Sequence, residues 1–196
     1  ATNLLDILPG AKINQGTSTN NAGGGVKLFN TDQFDVRIDW NISDSDKFFA
    51  RYTYLSTLLD NPPLFGVEAG GTAVGGLSPQ TGDTRSQQAA LNYTNTFSPT
   101  LLAEVRVGAV RFRLSGWQSD SLLNTNDKVG IPGINTDDRR TGGLAGIDVF
   151  GPVGAWSMGI LSGVGIPRFD TTRSFQLVNN WTKMSGNHQL RWGADI

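Results

Sequence analysis

The sequence predicts an all-β chain: antiparallel up-and-down strands of a transmembrane β-barrel, about six strands in three hairpins, an incomplete barrel with long loops. Three observations carry this. Apolar and polar residues alternate with period two over stretches of membrane-strand length, short and long connections alternate along the chain, and aromatic residues gather near strand ends.

Residues 1–32 begin with an apolar patch, Leu4, Leu5, Ile7 and Leu8 before Pro9, and run through a polar stretch to Gly23, Gly24 and Gly25. They predict a loop or short helical turn and then a linker preceding a partial barrel over 33–196. From Gln33, the residues Phe34, Val36, Ile38, Trp40 and Ile42 alternate with Asp35, Arg37, Asp39 and Asn41, giving a strand over about 33–42. Ser43-Asp44-Ser45-Asp46 is a polar turn. Phe48, Ala50, Tyr52 and Tyr54 then alternate with Phe49, Arg51 and Thr53, a strand over about 47–55 that completes a hairpin. Ser56 to Arg85 holds Pro62, Pro63, Pro79 and many glycines without periodicity, and predicts a long loop.

Alternation returns over about 86–97, with Ala89, Leu91 and Tyr93 against Gln88, Ala90, Asn92 and Thr94, and breaks at Ser98-Pro99-Thr100. The next strand, about 101–115, sets Leu101, Ala103, Val105, Val107 and Ala109 against Glu104, Arg106 and Gly108, with Phe112 and Trp117 near its far end. A second long loop follows from Gln118 to about Phe169. The last hairpin pairs a strand over about 172–184 (Phe175, Leu177 and Trp181 against Gln176, Val178, Asn180 and Thr182) with one over 188–196 (Leu190, Trp192, Ala194 and Ile196 against Gln189, Arg191, Gly193 and Asp195). Ser185-Gly186-Asn187 is the turn between them.

Consecutive connections of an up-and-down barrel emerge at opposite rims, and outer-membrane barrels keep the periplasmic turns short and the extracellular loops long. A soluble sandwich has no physical reason to sort loop lengths by rim. Trp40, Phe48, Phe97 and Trp181 fall near short turns and predict one interfacial girdle; Tyr54, Phe112 and Trp117 fall towards the long loops and predict the other.

Composition is compatible with this. No run approaches the ~20 apolar residues of a membrane helix, but a barrel strand needs only ~9–11 with one apolar face, so mean hydropathy can stay below zero. With 16 basic against 17 acidic residues there is no one-sided field to attract a phosphate backbone, and no nucleic-acid partner is expected. The absence of cysteine excludes disulfides, thiolate metal sites and cysteine nucleophiles. Ala1 to Gln15 lacks the layout of a signal peptide, and the start without Met and the end inside a predicted strand lead us to expect a fragment.

Catalytic chemistry has little to work with, so no enzyme, cofactor or metal site is expected. His188, the one histidine, lies beside a turn and reads as an ordinary turn residue. Gly159-Ile160-Leu161-Ser162-Gly163 places its serine one position late for a nucleophile elbow. Asp137-Asp138-Arg139-Arg140 reads as a solvated loop tip sooner than as a ligand contact. The glycines at 23–25 and 70–71 neither follow a strand nor open a helix, as a phosphate cradle must. What remains is the polar strand faces: Asp35, Arg37, Asp39, Arg51, Glu104, Arg106, Arg191 and Asp195 are the candidate lumen-facing residues, each singly read as pairing across strands for structure.

The run Asp32-Gln33-Phe34-Asp35-Val36-Arg37-Ile38-Asp39-Trp40-Asn41-Ile42-Ser43 with Asp46-Lys47-Phe48-Phe49-Ala50-Arg51-Tyr52 resembles the first barrel strands of Oar-like TonB-dependent receptors, which carry a carboxypeptidase-regulatory-like domain. Asn92 to Arg106, Ile131-Pro132-Gly133-Ile134-Asn135, Gly165-Ile166-Pro167 and Gly186 to Ile196 also resemble that family, as do Leu4, Leu5 and Pro9 before the barrel. The resemblance covers nearly the whole chain, in loose strand-and-turn patterns whose strength is their order. It implies the N-terminal part of the wall of a bacterial outer-membrane transporter that takes up a solute. The implied partners are outer-membrane lipid, a plug domain, the remaining barrel strands, the TonB complex and an unknown solute. An export signal, TonB box and plug, which such receptors carry, are not visible in this sequence. The alternative is a passive or structural outer-membrane barrel, or a β-rich binding or adhesion domain without energised transport.

Overall fold

The structure, a computed structural model, describes residues 2–8, 10, 23–70, 80–151, 154–159 and 165–196. Its elements are α1 (Thr2–Asp6), β1 (Leu28–Asn41), β2 (Asp46–Asn61), β3 (Gln80–Ser98), β4 (Leu101–Gln118), α2 (Thr125–Lys128), β5 (Ile147–Gly151), β6 (Gly154–Met158), β7 (Arg168–Ser185) and β8 (His188–Asp195). Six strands pair in the order β1-β2-β3-β4-β7-β8, and β5 with β6 forms a separate two-stranded sheet. The fold is thus mostly antiparallel strand, in hairpins that follow the chain. No helix among the described residues is long and apolar enough to cross a membrane.

The chain divides into two compact units, the first made of residues 1–30, 58–83 and 114–169, the second of residues 31–57, 84–113 and 170–196. The second unit is built from alternating sequence and short turns. Ser43 Oγ donates to Asp46 Oδ2 at 2.6 Å and accepts from the Asp46 amide at 3.0 Å, closing the β1–β2 turn without a glycine. At the β7–β8 turn Gly186 sits at φ +58°, a conformation that favours glycine, and beyond it Ser185 pairs His188 and Trp181 pairs Trp192. The Thr96 amide donates to Ser45 O at 2.8 Å and the Met184 amide to Thr100 O at 2.8 Å, so the β1–β2 and β3–β4 turns are each bonded to the end of a neighbouring strand.

Alternation becomes two chemically distinct faces. Phe34 stacks on Tyr54 at 5.3 Å and meets Tyr52 at 6.0 Å, while Asp35 pairs with Arg51 and Thr53 on the opposite side of the same two strands. Phe97, Trp181 and Trp192 stack in series at 5.7 and 6.3 Å, so the girdle at the short turns gains Trp192. Phe112, expected in the other girdle, instead falls by alternation on the face of Glu104 and Arg106; its even position in β4 decides this, and nearness to the long loop does not.

Among the described residues no core lies beneath the apolar face. In the second unit Ala103 is the one buried apolar residue among those described, and Ile38 is 61% and Phe175 77% exposed. A large open apolar face is rare on a soluble protein and is what a lipid-facing sheet presents.

The first unit has a core of the ordinary kind. Ala69, Val129, Leu144 and Met158 are buried, and Leu4, Ile7 and Leu8 of the α1 segment pack against them with Phe65, Ile131 and Ile147. The connection after Gln118, expected as one long loop to about Phe169, contains α2, a 3-10 turn at Arg139–Thr141 and the β5–β6 hairpin. The connection expected over Ser56 to Arg85 is partly strand as well: β2 continues to Asn61 and β3 begins at Gln80, with Thr81 Oγ1 donating to Asp60 Oδ1 at 3.1 Å. β1 likewise starts at Leu28, ahead of Gln33. These extensions lack clean alternation because strand beyond the hydrocarbon needs backbone pairing but no apolar face. Of the polar stretch after α1, residues 11–22 lie outside the described residues.

Candidate functional site

The candidate site is the polar face of the second unit. β1 and β2 place Gln33, Asp35, Arg51 and Thr53 together: Asp35 Oδ1 accepts from Arg51 Nη2 at 2.9 Å and from Thr53 Oγ1, and Asp35 Oδ2 accepts from Gln33 Nε2 at 3.0 Å. Further along β1, Arg37 grips Asp39 through Nε at 2.8 Å and Nη2 at 2.7 Å, its guanidinium 4.5 Å over the Phe49 ring. On β4, Arg106 donates to Glu104 Oε1 through Nε at 3.0 Å and Nη2 at 2.7 Å. On β7 and β8, Gln176 Nε2 donates to Asp195 at 3.2 Å. Arg191 and Glu104 line one cleft of 490 Å³ with Asn180 and Thr182.

Seven of the eight residues read from the sequence therefore have a polar partner, and Arg191 joins Glu104 in the cleft. The pairs are two residues apart on one strand or on paired strands, the spacing at which side chains share a face. Arg37 and Asp39, 55% and 62% exposed, are screened by solvent, so such pairs add little to stability. Their effect is to keep charge on this face neutralised and aligned. Gln33, Phe49, Thr53 and Gln176 complete the networks and were not among the expected residues; their parity along the strands was the available signal.

The first unit carries a second polar cluster, made of groups far apart in sequence. Asp120, 4% exposed, accepts from the Leu144 amide at 2.7 Å and from Gln118 Nε2. Burial outweighs these hydrogen bonds and raises its pKa above the ordinary 3.8. Asn126 donates to Gly143 O at 2.8 Å and accepts from the Ala145 amide at 3.0 Å, and Asn135 donates to Thr141 O and Gly143 O. Gly143 sits at φ +87°, where a Cβ would overlap Gln118 Nε2 and Asp120 Oδ1. The cluster pins the backbone at Gly143 and Leu144 and so positions a core residue.

The other sequence candidates resolve structurally. Asp138 caps the 3-10 turn by accepting from the Arg140 amide at 2.9 Å and pairs with the Arg140 guanidinium, which lowers the Asp138 pKa. Arg139 donates to Ser121 Oγ at 3.1 Å and lies 4.1 Å over Trp117, itself edge-on to Phe169 at 4.7 Å. The loop tip is thus built into the unit. His188 opens β8 opposite Ser185. Of the Gly159–Gly163 run, Ile160 to Gly163 lie outside the described residues, as do Gly71, Pro9 and Pro79. No group of three or more histidine, cysteine, aspartate or glutamate residues suited to a metal is present among the described residues.

An antiparallel sheet with one open apolar face, one ion-paired polar face and short hairpin turns at one rim defines the wall of a membrane β-barrel. The family model of the outer membrane beta barrel domain matches residues 1–196, and the chain belongs to that family. No curated protein and no solved structure matches it. The chain is part of a bacterial outer-membrane barrel, with lipid as the environment of its spanning strands.

Proposed function

We propose that this wall belongs to a TonB-dependent transporter of the Oar-like type, which takes up a solute across the outer membrane. The observation that supports it best is the polar face: a set of paired charges on β1, β2 and β4, Asp35–Arg51, Arg37–Asp39 and Glu104–Arg106, turned away from the apolar face. A lumen wall that must meet a plug or passing solute needs such a surface, polar but neutralised. The resemblance of the β1–β2 hairpin to those receptors supports the same reading. In it, the plug, the remaining strands and the TonB complex are partners, the solute enters past the long connections, and the chain performs no covalent chemistry.

A second reading, a passive barrel or a binding and adhesion domain, draws on the folded first unit, whose own core and pinned polar cluster suit a rigid recognition surface. Uptake separates the two. Cells carrying the full-length protein are assayed for accumulation of candidate siderophores, saccharides and peptides with the TonB complex intact or deleted. Transport predicts accumulation that disappears on deletion; uptake or surface binding that is unchanged by deletion contradicts it and favours the second reading.

A further inference from the structure

The arginines of the second unit sort by face. On the polar face Arg37, Arg51 and Arg106 each hold a carboxylate, and Arg191 lines a cleft with Glu104. Arg85 and Arg113 share by alternation the face of Gln87 and Ala109, and Arg111 and Arg173 line a cleft of 430 Å³ with Tyr52, Gln87, Ala89, Ala109 and Phe175. That face is the apolar one, because Gln87 Nε2 donates to Tyr52 Oη at 2.8 Å and Tyr52 meets Phe34. Phe175 lies on it by alternation with Trp181.

All four arginines are exposed, and none makes an ion pair or guanidinium hydrogen bond among the described residues. They lie 10 to 13 residues from the short-turn ends of β3, β4 and β7. Since ~9–11 residues cross the hydrocarbon, that depth is the headgroup boundary on the long-loop side. At the short-turn end of the same face there is one lysine, Lys183, whose Nζ donates to Thr100 Oγ1 at 3.1 Å, and an acid, Asp46, which accepts from Ser43, Ser45, Tyr93 and Asn95. The arginines of this face are thus gathered at the outer boundary.

We propose that this patch is a docking site for a phosphate-bearing lipid of the outer leaflet. The Arg111 and Arg173 guanidiniums take the phosphate, Arg85 and Arg113 flank it, and an acyl chain runs down over Phe175, Ala89 and Ala109. Guanidinium matches phosphate by its fork geometry and charge, and its apolar stem lies along the same surface as the chain. The proposal rests on the apolar face meeting lipid, independently of which solute the barrel carries.

The test uses the full-length protein in nanodiscs containing a phosphorylated outer-leaflet glycolipid or its dephosphorylated form. Lipid retained after detergent extraction is quantified by mass spectrometry for wild type, R111Q/R173Q and R111K/R173K. We expect selective retention of the phosphorylated form, a loss of roughly fivefold or more in R111Q/R173Q, and partial recovery with lysine. Equal retention by R111Q/R173Q, equal retention of the dephosphorylated form, or full displacement by millimolar inorganic phosphate would each overturn the lipid site. Quenching of Trp181 and Trp192 by brominated acyl chains checks the face itself. Quenching without selective retention removes this proposal alone, and absence of quenching removes the lipid-facing assignment with it.

Discussion

The two units solve the same problem with different solvents. In the first, Leu144 and Met158 are fully buried and the polar groups of Asp120 and Asn126 are matched inside a fold that excludes water. In the second, the strands leave Phe34, Val36, Ile38 and Trp40 half exposed or more, because their covering is lipid. Apolar sequence therefore has two signatures in one chain. Apolar residues at helical spacing such as Leu4, Ile7 and Leu8 pack against a dry core, whereas strict alternation makes a membrane face.

This contrast can be broken from either side. The largest effect is expected at Leu144→Ala, which opens a cavity in the first unit at a cost of about 2–5 kcal/mol. Amide exchange in the full-length barrel should show lost protection around Val129 and Leu144 with the β1–β2 hairpin unchanged; loss in both regions would show one shared core. Next is Ile38→Lys, which sets a charge on the apolar face about midway along the span and should cost about 2–4 kcal/mol of barrel stability in bilayers, read from urea unfolding in vesicles. Lysine at Ile38 with no loss would mean that this face is wetted.

A smaller effect separates two acids within the first unit. The raised pKa of Asp120 means its contribution to stability is full below the ordinary 3.8 and is lost as pH rises through the raised value. The lowered pKa of Asp138 gives the opposite sign, a contribution present above 3.8 and lost as pH falls through the lowered value. Exchange at the Leu144 amide should therefore slow on acidification, and exchange at the Arg140 amide should quicken, after correction for intrinsic rates. The same direction at both would contradict the assigned environments.

The second unit was legible because lipid imposes a rule on every other residue: Phe34 to Ile42 and Leu101 to Ala109 announce their faces without help from distant sequence. Short turns were legible too, since Ser43 to Asp46 and Gly186 carry local turn chemistry. The first unit was mostly hidden. Asp120 meets Leu144 and Asn126 meets Ala145 across gaps that no period spans, and the β5–β6 hairpin lies inside the stretch expected as one long loop. Parity marks the charged polar-face residues, while their partners Thr53 and Gln176, being uncharged, stand out less in the sequence.

Because the chain has no cysteine, the central claim can be read one residue at a time. Single cysteines at positions 34 to 39 in the full-length protein, embedded in outer membranes, are challenged with a membrane-impermeant thiol reagent applied from both sides. The account predicts alternation: Asp35→Cys, Arg37→Cys and Asp39→Cys react, and Phe34→Cys, Val36→Cys and Ile38→Cys stay protected until the lipid is removed. Uniform labelling, or protection of the Asp35 set with labelling of the Phe34 set, would contradict it.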